Sequence, residues 1–459
     1  MPEILFHYER VNPSSWAYLS SFLMLALFFK FSRIWSVRNL DLLLLISLAP
    51  GLLLVHFSRI DPSAMSDPVG IEHLGFLWLF GSCALLLTRL LIDSAMVRRP
   101  LLEPNLNAAG LLFLSSALMF FLMANVVTGE PTEAGMRPAR PANELREETT
   151  EGGQASTFAT DGPGYWLVYL LPRISTQTVL EAGADEPADS AAAAGDDRRR
   201  RIREITSRLV SILSHSMIVL GVIAIGYYHF QNFVAGVAAA TMYLMLPYTA
   251  LWTGDPTHAL PSALLVAAVL LYRRPVLAGM MIGLASGTSY YPVFLLPLWC
   301  SYYWDRGVKR FATGVLIMLG VLVASMAVTG TTWEVVQERF QAMFGLHVPK
   351  FADMEGVWSR WSPYYRYPIL AAFVVLALSF VFWPVKKNLA TLISCTGAVM
   401  VAAQFWHAHS GGLYVAWYLP LLLLTIYRPN LEDRDAVRMV SQGWTAKRKR
   451  PVVESRQAG

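Results

Sequence analysis

Charge is what this chain has least of: Asp, Glu, Lys and Arg make up 15% of its 459 residues, while 55% are hydrophobic. Water-soluble domains carry about 25% charged residues, and here the apolar residues lie in long runs rather than amphipathic stripes. Both features exclude a soluble globule and indicate a polytopic membrane protein. Cysteine is scarce too. Cys83, Cys300 and Cys395 fall inside or at the edge of apolar runs, where a thiol acts as a small hydrophobe, so neither a disulfide framework nor a zinc site is expected. No metal site or resident cofactor is expected; carboxylates are compatible with a divalent ion, but nothing indicates one. The formal charge of +5 comes from clusters flanking the apolar runs and reports topology; with no nucleic-acid motif beside it, nucleic acid is not an expected partner. Residues 1–12 are polar, with His7, Glu9 and Arg10 and no small-residue cleavage site after the first apolar run, so that run is expected to stay as an anchor.

Apolar segments of roughly the length needed to cross a hydrocarbon core lie at 16–31, 41–57, 74–92, 108–127, 208–227, 232–250, 258–272, 276–289, 290–304, 311–329, 366–385, 388–405 and 411–427. The expected fold is all-α, with about 13 transmembrane helices. The pair 276–289 and 290–304 is divided at Ser289-Tyr290-Tyr291-Pro292. Counted this way, Lys30, Arg33 and Arg38, then Arg89, Arg98 and Arg99, Arg273 and Arg274, Arg306, Lys309 and Arg310, Lys386 and Lys387, and the tail Lys447-Arg448-Lys449-Arg450 share one side. An excess of Lys and Arg marks the cytoplasmic side, which places the N-terminus outside and the C-terminus inside. Arg198–Arg201, Arg203 and Arg208 fall on the outer side, next to a long loop whose translocation depends little on charge. Were Tyr165–Leu180 to dip into the membrane, the first four spans would invert.

Four regions follow: a four-helix membrane region over 1–127, an extracytoplasmic loop over 128–207, a multispan region over 208–429 and a basic cytoplasmic tail over 430–459. Within the loop, Glu130–Ala155 reads as unstructured and Ala182–Asp197 as an acidic, Ala-rich linker. The apolar piece near 165–180 reads as an interfacial helix with Tyr165, Trp166 and Tyr169 at headgroup depth.

Leu246–Trp304 is broken by Pro247, Gly254, Pro256, Pro261, Pro275, Pro292 and Pro297. Each proline removes a backbone donor, a defect that lipid cannot repair, so the stretch is expected to line a cavity. Candidate reactive groups gather in the outer loops: Asp61, Asp67, Glu72 and His73; Asp255 and His258; His347, Lys350, Asp353, Glu355, Arg360 and Arg366 among aromatics; His407 and His409. Carboxylates serve as general bases, and Arg or Lys near the surface clamps phosphate. Each has a structural alternative. Asp255-Pro256 is also an ordinary helix start, Arg360 and Arg366 also suit an interfacial belt, and two histidines two residues apart favour ordinary interfacial residues over a metal site.

The segment Thr253-Gly254-Asp255, an apolar helix ending in Arg273-Arg274-Pro275, Leu277-Ala278-Gly279 with Gly283-Leu284-Ala285, and Tyr291-Pro292 with Leu296-Pro297 resembles the multispan glycosyltransferases of the C-type superfamily. The similarity is strongest to the polyprenyl-phosphate-mannose-dependent alpha-mannosyltransferases. The resemblance implies a GT-C-like core with extracytoplasmic loops, and transfer of a sugar from a polyprenyl-phosphate donor to a lipid or glycan acceptor on the outer face. An acid would deprotonate the acceptor: Asp61 or Asp67 if the base lies in 58–73, or Glu130, Glu133 or Asp161 if the loop 128–207 takes that role, with Asp255 a further candidate. His258, Arg360 and Arg366 would hold the departing phosphate, and Trp252, Tyr290 and Tyr291 would line the substrate cavity. Two other readings remain: a transporter or flippase for a lipid-linked substrate, and a non-catalytic membrane scaffold. The expected partners are the lipid-linked sugar and the bilayer.

Overall fold

A computed structural model describes residues 12–64, 66–96, 102–140, 162–182, 191–305, 307–329, 337, 340, 354–385 and 387–429. Every regular element among them is helical: α1 Pro13–Phe28, α2 Val37–Ile46, α3 Leu48–Ile60, α4 Pro68–Asp93, α5 Ala108–Thr128, α6 Glu133–Met136, α7 Pro163–Ala182, α8 Ala191–Tyr228, α9 Phe233–Met245, α10 Pro247–Trp252, α11 Pro256–Leu270, α12 Pro275–Thr288, α13 Leu296–Tyr302, α14 Val308–Thr329, α15 Arg366–Ser379, α16 Leu389–Trp406 and α17 Leu419–Tyr427. Polar side chains mark the helix starts. Asn12, Ser36, Asp67, Asn107, Asn232, Asp255 and Asn388 each accept a hydrogen bond from a first-turn amide, satisfying donors that hydrocarbon would leave unpaired.

Among the described residues, six helical stretches are long and apolar enough to cross a membrane: Val37–Ile60, Pro68–Asp93, Ala108–Thr128, Asp197–Tyr228, Val308–Val328 and Leu389–Trp406, with shorter apolar helices at α1, α9, α11 and α12. The chain is therefore a multi-pass membrane protein. Burial orders the helices: 94% of the apolar window of α16 is inside the protein against 28% of that of α5, so α16 is central and α5 faces lipid. The N-terminal spans are not an appendage, because α4 packs on α16 and α5 on α9 within one core. The Leu-Ala-Gly cadence is a packing device. A Cβ on Gly279 would collide with the Phe311 carbonyl, and one on Gly314 with the Val276 carbonyl, so only glycine lets α12 and α14 come this close.

Hydrogen bonds sort the connections into two ends. At one end Arg59 Nη2 donates to Ser410 Oγ at 3.0 Å, Glu355 N–H to the Ala408 carbonyl at 3.1 Å and Arg208 to the Gly129 carbonyl at 3.0 Å. At the other, Arg89 holds Asp41 at 2.6 Å and Asp93 at 3.0 Å, and Arg428 reaches Asp93 at 2.6 Å. Aromatic side chains exposed near each end, Trp361, Tyr364 and Tyr365 at the first and Trp35, Trp304 and Phe382 at the second, are placed as interfacial belts.

Several sequence-based spans change shape. The expected span 290–304 is a 3-10 turn, Tyr291–Leu295, followed by the short α13, because Pro292 and Pro297 interrupt the helical ladder. The expected span 411–427 begins with non-helical backbone and a 3-10 turn, Val415–Trp417, and α17 has 9 residues. Its chain descends along α4: Gly412 lies against Leu79 and Phe80, the Tyr418 hydroxyl lies 3.5 Å from Cys83 Sγ, and Arg428 meets Asp93. Irregular backbone at this depth is tolerated because protein surrounds it. The linker read over 182–197 is helical from Ala191, where four consecutive alanines favour the helix. Tyr165, Trp166 and Tyr169 are buried in protein rather than facing headgroups; the Tyr165 and Tyr169 hydroxyls find backbone acceptors at Thr257 and Gly135. Glu130 and Glu133 are exposed, while Asp161, His347, Lys350 and Asp353, residues 141–161 and 183–190 of the loop, and the basic tail lie outside the described residues.

Candidate functional site

Asp255 begins the site. It caps α11, its Oδ1 accepting from the Thr257 amide at 2.9 Å and the Thr257 hydroxyl at 2.7 Å, and its Oδ2 accepts from the Thr132 hydroxyl at 3.3 Å. That last bond brings Asp255 beside the exposed Glu133, which follows Thr132 at the start of α6. The structural and functional readings of Asp255 therefore coexist: Oδ1 does the capping, while Oδ2 has only one longer contact and keeps acceptor capacity.

One turn further on, His258 Nδ1 meets the Tyr248 hydroxyl at 2.5 Å. From it runs a continuous aromatic array. Trp252 stacks on Tyr248 (5.3 Å between ring centroids) and on His258 (5.9 Å); His258 stacks on Tyr414 (4.8 Å), which lies 4.7 Å from His407. His407 stacks on Tyr291 at 5.1 Å, Tyr290 on Tyr291 at 4.1 Å, and both tyrosines pack edge-on to Trp406. Trp417 closes the array, 4.5 Å from Tyr414 and 5.6 Å from Tyr291.

Arg366 sits at the far end. Its guanidinium lies 5.8 Å over the Trp406 ring, and Nη2 donates to the Trp406 carbonyl at 3.2 Å, Nη1 to Met354 Sδ at 3.6 Å. The residue is only 5% exposed, and its Nε is buried without an acceptor. Among the described residues no carboxylate pairs with it. A buried cation is costly unless an anion accompanies it.

Of the histidines here, His407 is held neutral. His407 Nδ1 accepts from the His409 amide at 3.2 Å, which leaves the proton on Nε2. Burial first, then the charge of His409 and of Arg366 and His258, pushes its imidazole down to about 3. The array thus contains ring faces, the neutral imidazole of His407, a guanidinium with no carboxylate partner among the described residues, and one carboxylate.

The structure brings Trp252, His258, Tyr290, Tyr291 and Arg366 together. Arg360 stands apart, exposed, close enough to His73 to disfavour a charge on that imidazole. Asp67 is the exposed cap of α4, accepting from the Gly70 amide at 2.8 Å, and Asp61 is exposed and accepts from the Ser63 hydroxyl at 2.8 Å. Both lie at the same end as Asp255, in the α3–α4 connection. Sequence reasoning missed Tyr414, Trp417 and Trp406, and read His407 as interfacial. The signal available for them was the run Gly411-Gly412-Leu413-Tyr414, since two glycines before aromatics in an apolar segment mark backbone that leaves the helix.

Residues 202–360 match the family model of glycosyltransferase family 87. The matched segment contains all of Leu246–Trp304 and with it Asp255, His258, Tyr290 and Tyr291; it ends before Arg366 and the 407–417 connection. No protein of curated function matches the chain. Over this segment the chain is similar to a glycosyltransferase family, and the apolar helices make it a membrane protein.

Proposed function

We propose that the chain transfers a sugar from a polyprenyl-phosphate donor to a lipid or glycan acceptor, at the end of the bundle that carries Asp255 and Arg366, and that this end faces outside the cytoplasm. The observation that carries the reading is Arg366: a buried guanidinium, lacking an anion among the described residues, beside an aromatic array in a chain whose middle third matches a glycosyltransferase family. The lipid-borne phosphate supplies the missing anion, and the aromatic faces take sugar and prenyl carbon. Arg366 stabilises the negative charge that grows on the phosphate as the glycosidic bond breaks, with the neutral N–H groups of His258 and His407 as further donors. Asp255 Oδ2 takes the proton of the acceptor hydroxyl.

Against a transporter, the site groups collect at one end rather than midway between matched halves. The test is transfer of radiolabelled sugar from a panel of polyprenyl-phosphate donors in membranes carrying the wild-type chain, R366Q or D255N. Label in a lipid or glycan product that depends on both residues supports the reading. Absence of transfer above vector membranes across the panel sinks it.

A further inference from the structure

The turn that presents Asp255 and His258 is gripped by side chains from α8, a helix holding none of the residues assigned to the chemistry above. His215 Nε2 meets the Thr253 carbonyl at 3.1 Å, and the Ser211 hydroxyl donates to the next carbonyl, that of Gly254, at 3.0 Å. Ser211 and His215 are four residues apart and so lie one above the other on one helix face, matched to two consecutive carbonyls. On the far side of the turn the Thr257 carbonyl accepts from the Tyr165 hydroxyl at 3.0 Å and from Trp417 Nε1 at 3.3 Å.

The state of His215 is determined by its partners. A carbonyl only accepts, so Nε2 carries the proton; Nδ1 is then an acceptor and takes the Tyr243 hydroxyl at 3.0 Å. His215, Tyr243 and Ser211 are all buried. Two apolar residues would fill that space in a membrane bundle without needing polar partners, so packing alone does not account for this relay. The residues before the α11 cap have carbonyls that the helix ladder does not use, and a turn whose carbonyls are claimed from a neighbouring helix has one conformation rather than several.

We infer that His215, backed by Tyr243 and flanked by Ser211, is a positioning residue that fixes the 253–257 turn and through it the Asp255 carboxylate and the His258 ring. The fixing of the turn stands on geometry; its consequence for sugar transfer rests on the function proposed above.

The test is amide hydrogen exchange on the purified full-length chain in detergent, with transfer measured alongside. H215F keeps the ring and loses the donor, H215Q keeps a donor at the same reach, and Y243F removes only the backing hydroxyl. Exchange at Asp255, Thr257 and His258 is expected to rise about tenfold in H215F and less in Y243F, with the rest of α8 and α11 unchanged and H215Q close to wild type. Transfer in H215F is expected to lose about tenfold in kcat with the donor KM within about twofold, restored by H215Q. Wild-type exchange at the turn in H215F overturns the inference. Should H215F fail to fold, Y243F decides, and unchanged exchange there also overturns it. Looser exchange in a chain that transfers no sugar even as wild type leaves the grip standing and removes the proposed function. Looser exchange with undiminished transfer severs the grip from the reaction.

Discussion

Arg366 lies over the ring of Trp406 and donates to that residue's own carbonyl, so one tryptophan supplies both the π-face and the acceptor of a cation that no carboxylate pairs with among the described residues. Neither contact offsets the desolvation of a full charge. Two opposite outcomes follow from one substitution. R366M should raise thermal stability in detergent, because an unpaired buried charge is removed. The same variant should lower transfer by about 100-fold or more in kcat/KM, the scale seen when a transition-state charge contact is lost. A fall in both quantities would make Arg366 a structural residue.

Asp255 separates capping from chemistry. Asparagine caps helices as well as aspartate does, so D255N should melt within about 1 kcal/mol of wild type while losing about 100-fold or more in kcat. D67N makes the control: the same kind of cap on α4, outside the aromatic array, with transfer expected within about twofold of wild type. A chain in which D67N or D61N is the inactive variant would place the base in the α3–α4 connection instead.

These expectations draw unequally on the sequence. Apolar runs and polar caps locate most of the helices, because in hydrocarbon both follow from backbone satisfaction, and the break at Ser289-Tyr290 follows from Pro292. The descent from Gly411 to Tyr418 does not show, since its residues are as apolar as those of a span. Asp255, His258, Trp252, Tyr290 and Tyr291 are legible as a local cadence around prolines, and Arg366 as a cation among aromatics. His407, Tyr414 and Trp417 join them only through tertiary packing. The charges at the opposite end carried a signal that was not used. Asp41 and Asp93 edge apolar runs, where an acid calls for a partner, and Arg89 and Arg428 supply it.

His407 gives a pH dependence with a definite sign. Its imidazole is pushed below the ordinary value of about 6.5 to about 3. Between those two values the unfolded chain binds a proton that the folded chain refuses. Stability from this group is therefore complete above about 6.5 and falls as the pH drops toward 3, by about 1.4 kcal/mol per pH unit inside the window. Thermal melts of wild type and H407Q from pH 7 to pH 4 should converge as the pH falls, because glutamine does not titrate. Parallel lines would show that His407 takes up its proton without cost to the fold.

Asp93 is fully buried and bridges Arg89 of its own helix and Arg428 just past α17, while Arg89 also clamps Asp41 on α2. The network ties three segments far apart in sequence, pairing two acids with two arginines among the described residues. Removing one member leaves a buried charge short of its partner, which costs up to about 3–5 kcal/mol. R428A should therefore lower stability markedly, although Arg89 keeps part of the Asp93 interaction. Because the network is separated from Asp255 and Arg366 by the length of the bundle, the molecules that still fold should transfer sugar at the wild-type rate. Measuring transfer per folded molecule, with the folded fraction taken from size-exclusion of the detergent-purified chain, separates the two effects. A loss of specific rate at unchanged folded fraction would mean that the two ends communicate, and the ionic network would then have to be counted as part of the working site.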